Sequence, residues 1–215
     1  MTLQCEVHER INTGAAALNR DLFGRHGVFV ASLFGWRHCG KTSLLEATLR
    51  DAGDDLRIGV VVGNILADQE VQRLRKLAQQ VIAIETVDLS ASLLHEAVSR
   101  IDLSELDVLL IERSGASVVV NQGGLDLGQA ANIDIFSVSD GDKAVRYPER
   151  IKHADLMLLT KTDLIPGSDF NFGRFSRIVQ RMNPDAPLIT LSLLTGQGLD
   201  QWIAWLRAKR EAAVQ

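Results

Sequence analysis

Residues 28–49 read VFVASLFGWRHCGKTSLLEATL, and the fold is decided within this stretch. Val28 to Phe34 form a continuous apolar run, as a strand buried on both faces requires. Gly35, Gly40, Lys41 and Thr42 then fall at the spacing G-x-x-x-x-G-K-[ST], and Leu44, Leu45, Thr48 and Leu49 share one helical face. At this spacing, a strand, a glycine-bearing turn and an amphipathic helix in that order point to a phosphate-binding loop; a turn that merely joins strand to helix is the alternative. In a phosphate-binding loop, backbone N–H groups curl around phosphate oxygens at a helix N-terminus. The Lys41 ammonium is placed to serve the terminal phosphates, and the Thr42 hydroxyl to ligate Mg²⁺. The unusual feature is that Trp36, Arg37, His38 and Cys39 fill the middle of the loop. Because the phosphate donors are main-chain groups, from Gly35 through Ser43, bulky side chains are tolerated if they point away. Arg37 alone has a special role open to it, a guanidinium steadying transition-state charge; a solvated surface arginine is the simpler reading.

Outward from this loop, apolar runs recur at Arg57 to Gly63, Val81 to Glu85, Asp107 to Glu112, Ile133 to Ser139, Asp155 to Thr160 and Pro187 to Ser192. Segments of helical period separate them. One places Leu93, Leu94, Ala97, Val98 and Ile101 on a face; another places Leu199, Trp202, Ile203 and Leu206. The stretch before Val28 reads as a leading helix closed by Gly24 or Gly27. The expectation is a doubly wound, mainly parallel α/β sheet in a single domain over residues 1–215, with a short helical lead-in. Nearly half the residues are apolar, enough for a substantial core. Acidic and basic residues almost balance and no dense Lys/Arg run occurs, which argues against a nucleic-acid partner. No apolar run is long enough to span a bilayer, and the charged first residues do not form a signal peptide. A cytoplasmic protein with reduced Cys5 and Cys39 is expected.

Two further elements select the nucleotide. Thr160, Lys161, Thr162 and Asp163 stand at the end of a buried strand and resemble the [N/T]-K-x-D element of GTP-binding proteins. A carboxylate at Asp163 accepts the two N–H donors of a guanine edge, which adenine does not offer. Residues 189–202, ITLSLLTGQGLDQW, resemble the S-A-K-T-G-x-G element that backs guanine, with Ser192, Leu193 and Leu194 at its first positions. Glu112, at a strand tip with Gly115 three residues on, is suited to hold Mg²⁺ or a Mg²⁺-bound water; a simple strand-end cap is the alternative.

Taken together, GVFVASLFGWRHCGKTSLLEATL, VGNILADQEVQRL, LLIERSG, FSVSDGDKAVRYPE, ADLMLLTKTDLIP and NPDAPLITLSLLTGQGLDQWIAWL resemble the HypB and UreG families, GTPases that assist nickel insertion into hydrogenase and urease. The HypB G domain is the nearer of the two. The resemblance implies a P-loop NTPase of the SIMIBI type that binds GTP and GDP with Mg²⁺ and forms a nucleotide-dependent homodimer. It also implies a client metalloenzyme or fellow accessory protein as partner. Where the family carries an adjacent Cys-His pair and a later Cys, this sequence reads Ser90, Ala91 and Val119, none of which binds nickel or zinc. Where the family has Asp, this chain has Asn64, so slow hydrolysis is expected. Asp68 is a partial substitute in organising water, or else an ordinary helix cap. Lys41, Glu112 and Asp68 are thus the expected catalytic groups. The alternative function is a nucleotide-loaded partner subunit that hydrolyses little and delivers no metal.

Overall fold

The computed structural model describes residues 3–63, 68–86, 88–113, 125–141 and 148–214. Seven strands form one sheet: β1 (Phe29–Gly35), β2 (Ile58–Gly63), β3 (Gln80–Ile84), β4 (Val108–Arg113), β5 (Ala131–Ser137), β6 (Leu156–Thr160) and β7 (Leu188–Thr190). Their order is β3-β2-β4-β1-β5-β6-β7, and every pairing is parallel. Each apolar run in the sequence corresponds to one strand. The central strands are buried along their whole length, because helices cover both faces.

Alternation along β1 assigns the faces. Phe29, Ala31 and Leu33 pack with Leu44 and Leu45 of α2 (Lys41–Asp51), Leu74 of α3 (Asp68–Arg75) and Trp202 of the last helix (Leu199–Val214). Val28 and Val30 pack instead with Phe23 of α1 (Leu3–His26) and Leu94 of α4 (Ala91–Val98). A third cluster lies beside β5 and β6, under α5 (Pro148–Lys152) and α6 (Phe172–Met182); the last helix is α7. Trp202 is fully buried, and its indole N–H donates to Thr48 Oγ1 at 2.8 Å while that hydroxyl donates to Leu44 O at 2.6 Å. The one polar atom of a large core residue is therefore satisfied.

Two expectations resolve in detail. Gly27, not Gly24, closes α1: it has φ 64°, and the N–H groups of Gly27 and Val28 return to the carbonyls of Gly24 and Phe23. Leu93 is not on the buried face of α4 but 39% exposed. The helix begins directly after Ser90 and turns Ala91, Leu94 and Val98 to the sheet, leaving Leu93 about 100° round from Leu94. Among the described residues, no helix is long and apolar enough to cross a membrane.

Candidate nucleotide-binding site

The phosphate loop joins β1 to α2 at the carboxyl edge of the sheet, where parallel α/β folds bind ligands. Gly35 ends β1 in a space with no room for a side chain: a Cβ there would lie 2.5 Å from Cys39 Sγ and 2.7 Å from Ile135 O. His38 and Gly40 both take left-handed backbone conformations, at φ 65° and 95°. Histidine is among the few non-glycine residues enriched in that region, which explains how the loop turns without a glycine at position 38. The four bulky residues have different surroundings. Cys39 is buried in the core, and burial pushes its thiol pKa up despite nearby Lys41, so it is a packing group and not a reactive one. Trp36 packs on Phe136, while Arg37 and His38 are exposed. Ser43 is exposed in the first turn of α2.

Lys41, only 6% exposed, donates from Nζ to Gly35 O at 2.9 Å and Trp36 O at 3.0 Å. Its ammonium is therefore held across the mouth of the loop by the first two carbonyls. One residue further on, the Thr42 hydroxyl faces Glu112: Oγ1 lies 3.0 and 3.2 Å from the two carboxylate oxygens. Glu112 is 2% exposed near the tip of β4, and burial raises its pKa against the opposing pull of Lys41 and the Thr42 hydrogen bond. A hydroxyl and a carboxylate meeting beside a phosphate loop fit the hard oxygen-donor set that Mg²⁺ prefers.

The second half of the site comes from β6 and β7. Thr160 Oγ1 lies 2.6 Å from Cys39 O and 3.1 Å from Phe136 O, its single proton directed to the nearer. Lys161, at φ 58°, extends Nζ to His38 O at 2.8 Å. Asp163 stands in the 3₁₀ turn Thr162–Gly167, and its Oδ1 accepts a 2.6 Å bond from Ser192 Oγ. That hydroxyl also accepts from Thr195 N–H at 3.3 Å. Leu193 packs on the core, whereas Leu194 is 83% exposed. Gly198, φ 76°, lets the loop pass so close to β7 that a Cβ would sit 2.0 Å from Thr190 O. The sequence elements separated by more than a hundred residues thus form one continuous edge.

Residues 29–190 match the CobW/HypB/UreG nucleotide-binding domain. The chain belongs to this family. It is 36% identical to the hydrogenase maturation factor HypB of Azotobacter vinelandii over 203 residues, which cover 93% of this chain and 66% of that protein. The chain thus spans about two thirds of the length of that relative and of the Rhizobium leguminosarum one. It is 29% identical to the probable HypB of Methanocaldococcus jannaschii over 201 residues, 92% of this chain and 90% of that one. In structure it is similar to HypB from Archaeoglobus fulgidus, with a TM-score of 0.87 at 27% identity over 94% of this chain and 99% of the other. HypB from Helicobacter pylori in complex with nickel gives 0.85 at 26%, covering 95% and 97%. The 54 kDa signal recognition particle protein of Aeropyrum pernix, at 13% identity and a TM-score of 0.54, shares the P-loop GTPase fold alone.

One described place departs from the expected HypB pattern. Ser90 is the N-cap of α4, accepting from Leu93 N–H at 3.2 Å, and Ala91 N–H donates to Asn12 Oδ1 of α1 at 2.8 Å. The point where the family's Cys-His pair would fall is a helix-to-helix joint here, and its residues do not fit nickel or zinc. Among the described residues, no group of three or more His, Cys, Asp or Glu is placed to hold a metal ion. Asp68 begins α3, but its side chain, like Asn64, Gly115 and Val119, lies outside the described residues.

One further buried group carries no motif in the sequence. Asp134 of β5 and Arg150 of α5 form a buried ion pair, with Arg150 Nε 2.9 Å from Asp134 Oδ2 and Nη2 bonded to Oδ1. Burial raises the Asp134 pKa and Arg150 opposes it. Arg113, at the tip of β4, is also buried, and burial lowers its pKa to about 10. The signal was present only in part: Asp134 interrupts the apolar strand run IDIF, and Arg113 follows Glu112 at the end of LLIER.

Proposed function

We propose that this chain binds GTP and GDP with Mg²⁺, hydrolyses GTP slowly, and acts as an accessory protein in maturation of a hydrogenase-type metalloenzyme. The observation that carries the nucleotide reading is the direct locking of the two loops. Thr160 and Lys161 of the base-selecting loop hydrogen-bond to the Cys39 and His38 carbonyls of the phosphate loop. A turn that merely joined β1 to α2 would have no need of such bonds from a loop that also positions a carboxylate, Asp163, for a purine edge.

In this reading, Gly35 to Ser43 cradle the phosphates, with Lys41 neutralising the terminal ones. Thr42 and Glu112 supply oxygens to Mg²⁺. Asp163, braced by Ser192, selects guanine, the Lys161 stem flanks the base, and the Leu193–Leu194 backbone backs it. The maturation role is taken from the relatives, which are named as hydrogenase maturation factors. Nickel enters as cargo, and Ser90 and Ala91 contribute no ligand to it. A homodimer and a client or fellow accessory protein belong to the same reading.

Calorimetric titration with GTP, GDP and ATP in the presence of Mg²⁺ tests the first part: guanine nucleotides bind and ATP does not. Single-turnover hydrolysis tests the second. A rate equal to that in water would leave a nucleotide-loaded partner subunit in place of an enzyme. Metal analysis of the protein with and without a non-hydrolysable GTP analogue tests the third, since stoichiometric nickel would require ligands other than Ser90 and Ala91.

A further inference from the structure

The buried charges beneath the phosphate loop are arranged in a chain that ends on Lys41. Asp134 holds Arg150 through two parallel hydrogen bonds, which fixes the plane of the guanidinium. Its Cζ lies over the Trp36 ring, 3.8 Å from the centroid, and 4.5 Å from the centroid of Phe136. Phe136 packs edge-on to the same indole at 5.3 Å, and the Phe34 ring lies 4.7 Å from Arg150 Cζ and 5.1 Å from that of Arg113. Trp36 is the second residue of the phosphate loop, and its carbonyl is one of the two that receive the Lys41 ammonium. The other, from Gly35, belongs to the preceding peptide.

We propose that Arg150 is a positioning residue of the phosphate loop: pinned by Asp134 and stacked on Trp36, it sets the peptide carbonyl that holds Lys41. This rests on the GTP-binding reading and adds to it a reason for tryptophan inside such a loop. Packing alone does not account for the arrangement. Two arginines and one carboxylate are buried together, and among the described residues Arg150 Nη1 has no hydrogen-bond partner, whereas apolar side chains of similar volume would fill the same space without that cost. What a planar, bidentate-held guanidinium adds over an apolar filler is a fixed orientation for the ring stacked on it. Because Lys41 serves the terminal phosphates, an error in its placement is felt more by a triphosphate than by a diphosphate.

The test is a double-mutant cycle read as the ratio of GTPγS to GDP affinity, by calorimetry on the full chain with Mg²⁺. Asp134→Asn/Arg150→Met removes both charges together, so no buried ion is left alone. It and Trp36→Ala should each lower the ratio about tenfold, and the combination should lower it no further than either change alone. Trp36→Phe keeps an aromatic face and should stay within about twofold. If the double replacement fails to fold, Arg150→Lys serves in its place: it keeps the charge beside Asp134 but lacks the stacking plane, and should lower the ratio likewise. An unchanged ratio, with both affinities falling in parallel or neither moving, overturns the proposal, as do effects that multiply. A parent protein that binds neither nucleotide overturns the GTP reading itself, and so is told apart from a failure of the positioning role alone.

Discussion

Thr160 Oγ1 donates to the carbonyl of Cys39 across 2.6 Å, joining residues 121 positions apart in the chain. The family element commonly has asparagine at this position, and from sequence alone the threonine looks like a loosening of the support. In the structure the hydroxyl reaches the phosphate loop directly, and the residue is buried. Thr160→Val removes the donor while keeping the shape. A net hydrogen bond contributes about 1 kcal/mol, so affinity for both GTP and GDP should fall about fivefold. Calorimetry checks this; unchanged affinities would mean the bond does not tension the loop.

In the proposed site, base selection rests on the Ser192 to Asp163 contact. Asp163→Asn replaces an acceptor edge by one that also donates, and should weaken GTP binding by about a hundredfold or more while allowing xanthosine triphosphate to bind. Ser192→Ala leaves the carboxylate in place but unbraced, and the loss should be nearer tenfold. Competition binding with GTP, XTP and ATP reads both. Equal affinity of the Asp163→Asn protein for GTP would remove Asp163 from the site.

Gly35→Ala should destabilise the protein by about 1–3 kcal/mol, because the new methyl meets Cys39 Sγ on one side and the Ile135 carbonyl on the other. Combining it with Cys39→Ala relieves only the first clash, so partial recovery is expected in urea unfolding. Full recovery would show that the backbone of β5 can yield.

What the sequence made legible follows from local rules. The seven strands, the loop, and the helices behind it were visible because buried parallel strands and amphipathic helices each leave a periodic trace in adjacent residues. The exposed Leu93 was misplaced because periodicity defines a face but not its centre; that was fixed by where Ser90 starts the helix and by α1 packing on it. The Asp134–Arg150–Trp36 arrangement left no periodic trace, since its members lie on three elements and meet only through the β1–β5 register, in which Phe34 pairs with Asp134. The charge of Asp134 inside an apolar strand run was its only sign. Likewise, that Cys39 belongs to the core was not legible, because the direction of a loop side chain depends on backbone angles that sequence spacing does not carry.

Asp107, beside the start of β4 and at the opposite end of the sheet from the loop, gives the pH dependence. Its Oδ2 accepts from Arg57 N–H and Nε, both at 3.0 Å, and its Oδ1 from Arg57 Nη2 at 3.1 Å and Arg210 Nη2 of α7 at 2.8 Å. The Arg57 side-chain hydrogen bond, more than any other cause, holds its pKa well below the usual carboxylate range. Both guanidinium groups are more than a third exposed, so solvent screening limits the clamp to about 1–2 kcal/mol. Asp107→Asn should lose that much at pH 7 in urea unfolding. The sign follows from the depressed native value: the unfolded chain takes up the proton first, near its ordinary value of about 4. The contribution is therefore complete above about pH 5 and fades as the pH falls from there toward the native pKa. The stability gap between the parent protein and Asp107→Asn should accordingly narrow between pH 5 and about pH 3, while the parent loses stability faster than the variant. A gap that stays constant over that window would mean that the carboxylate's charge plays no part in the clamp.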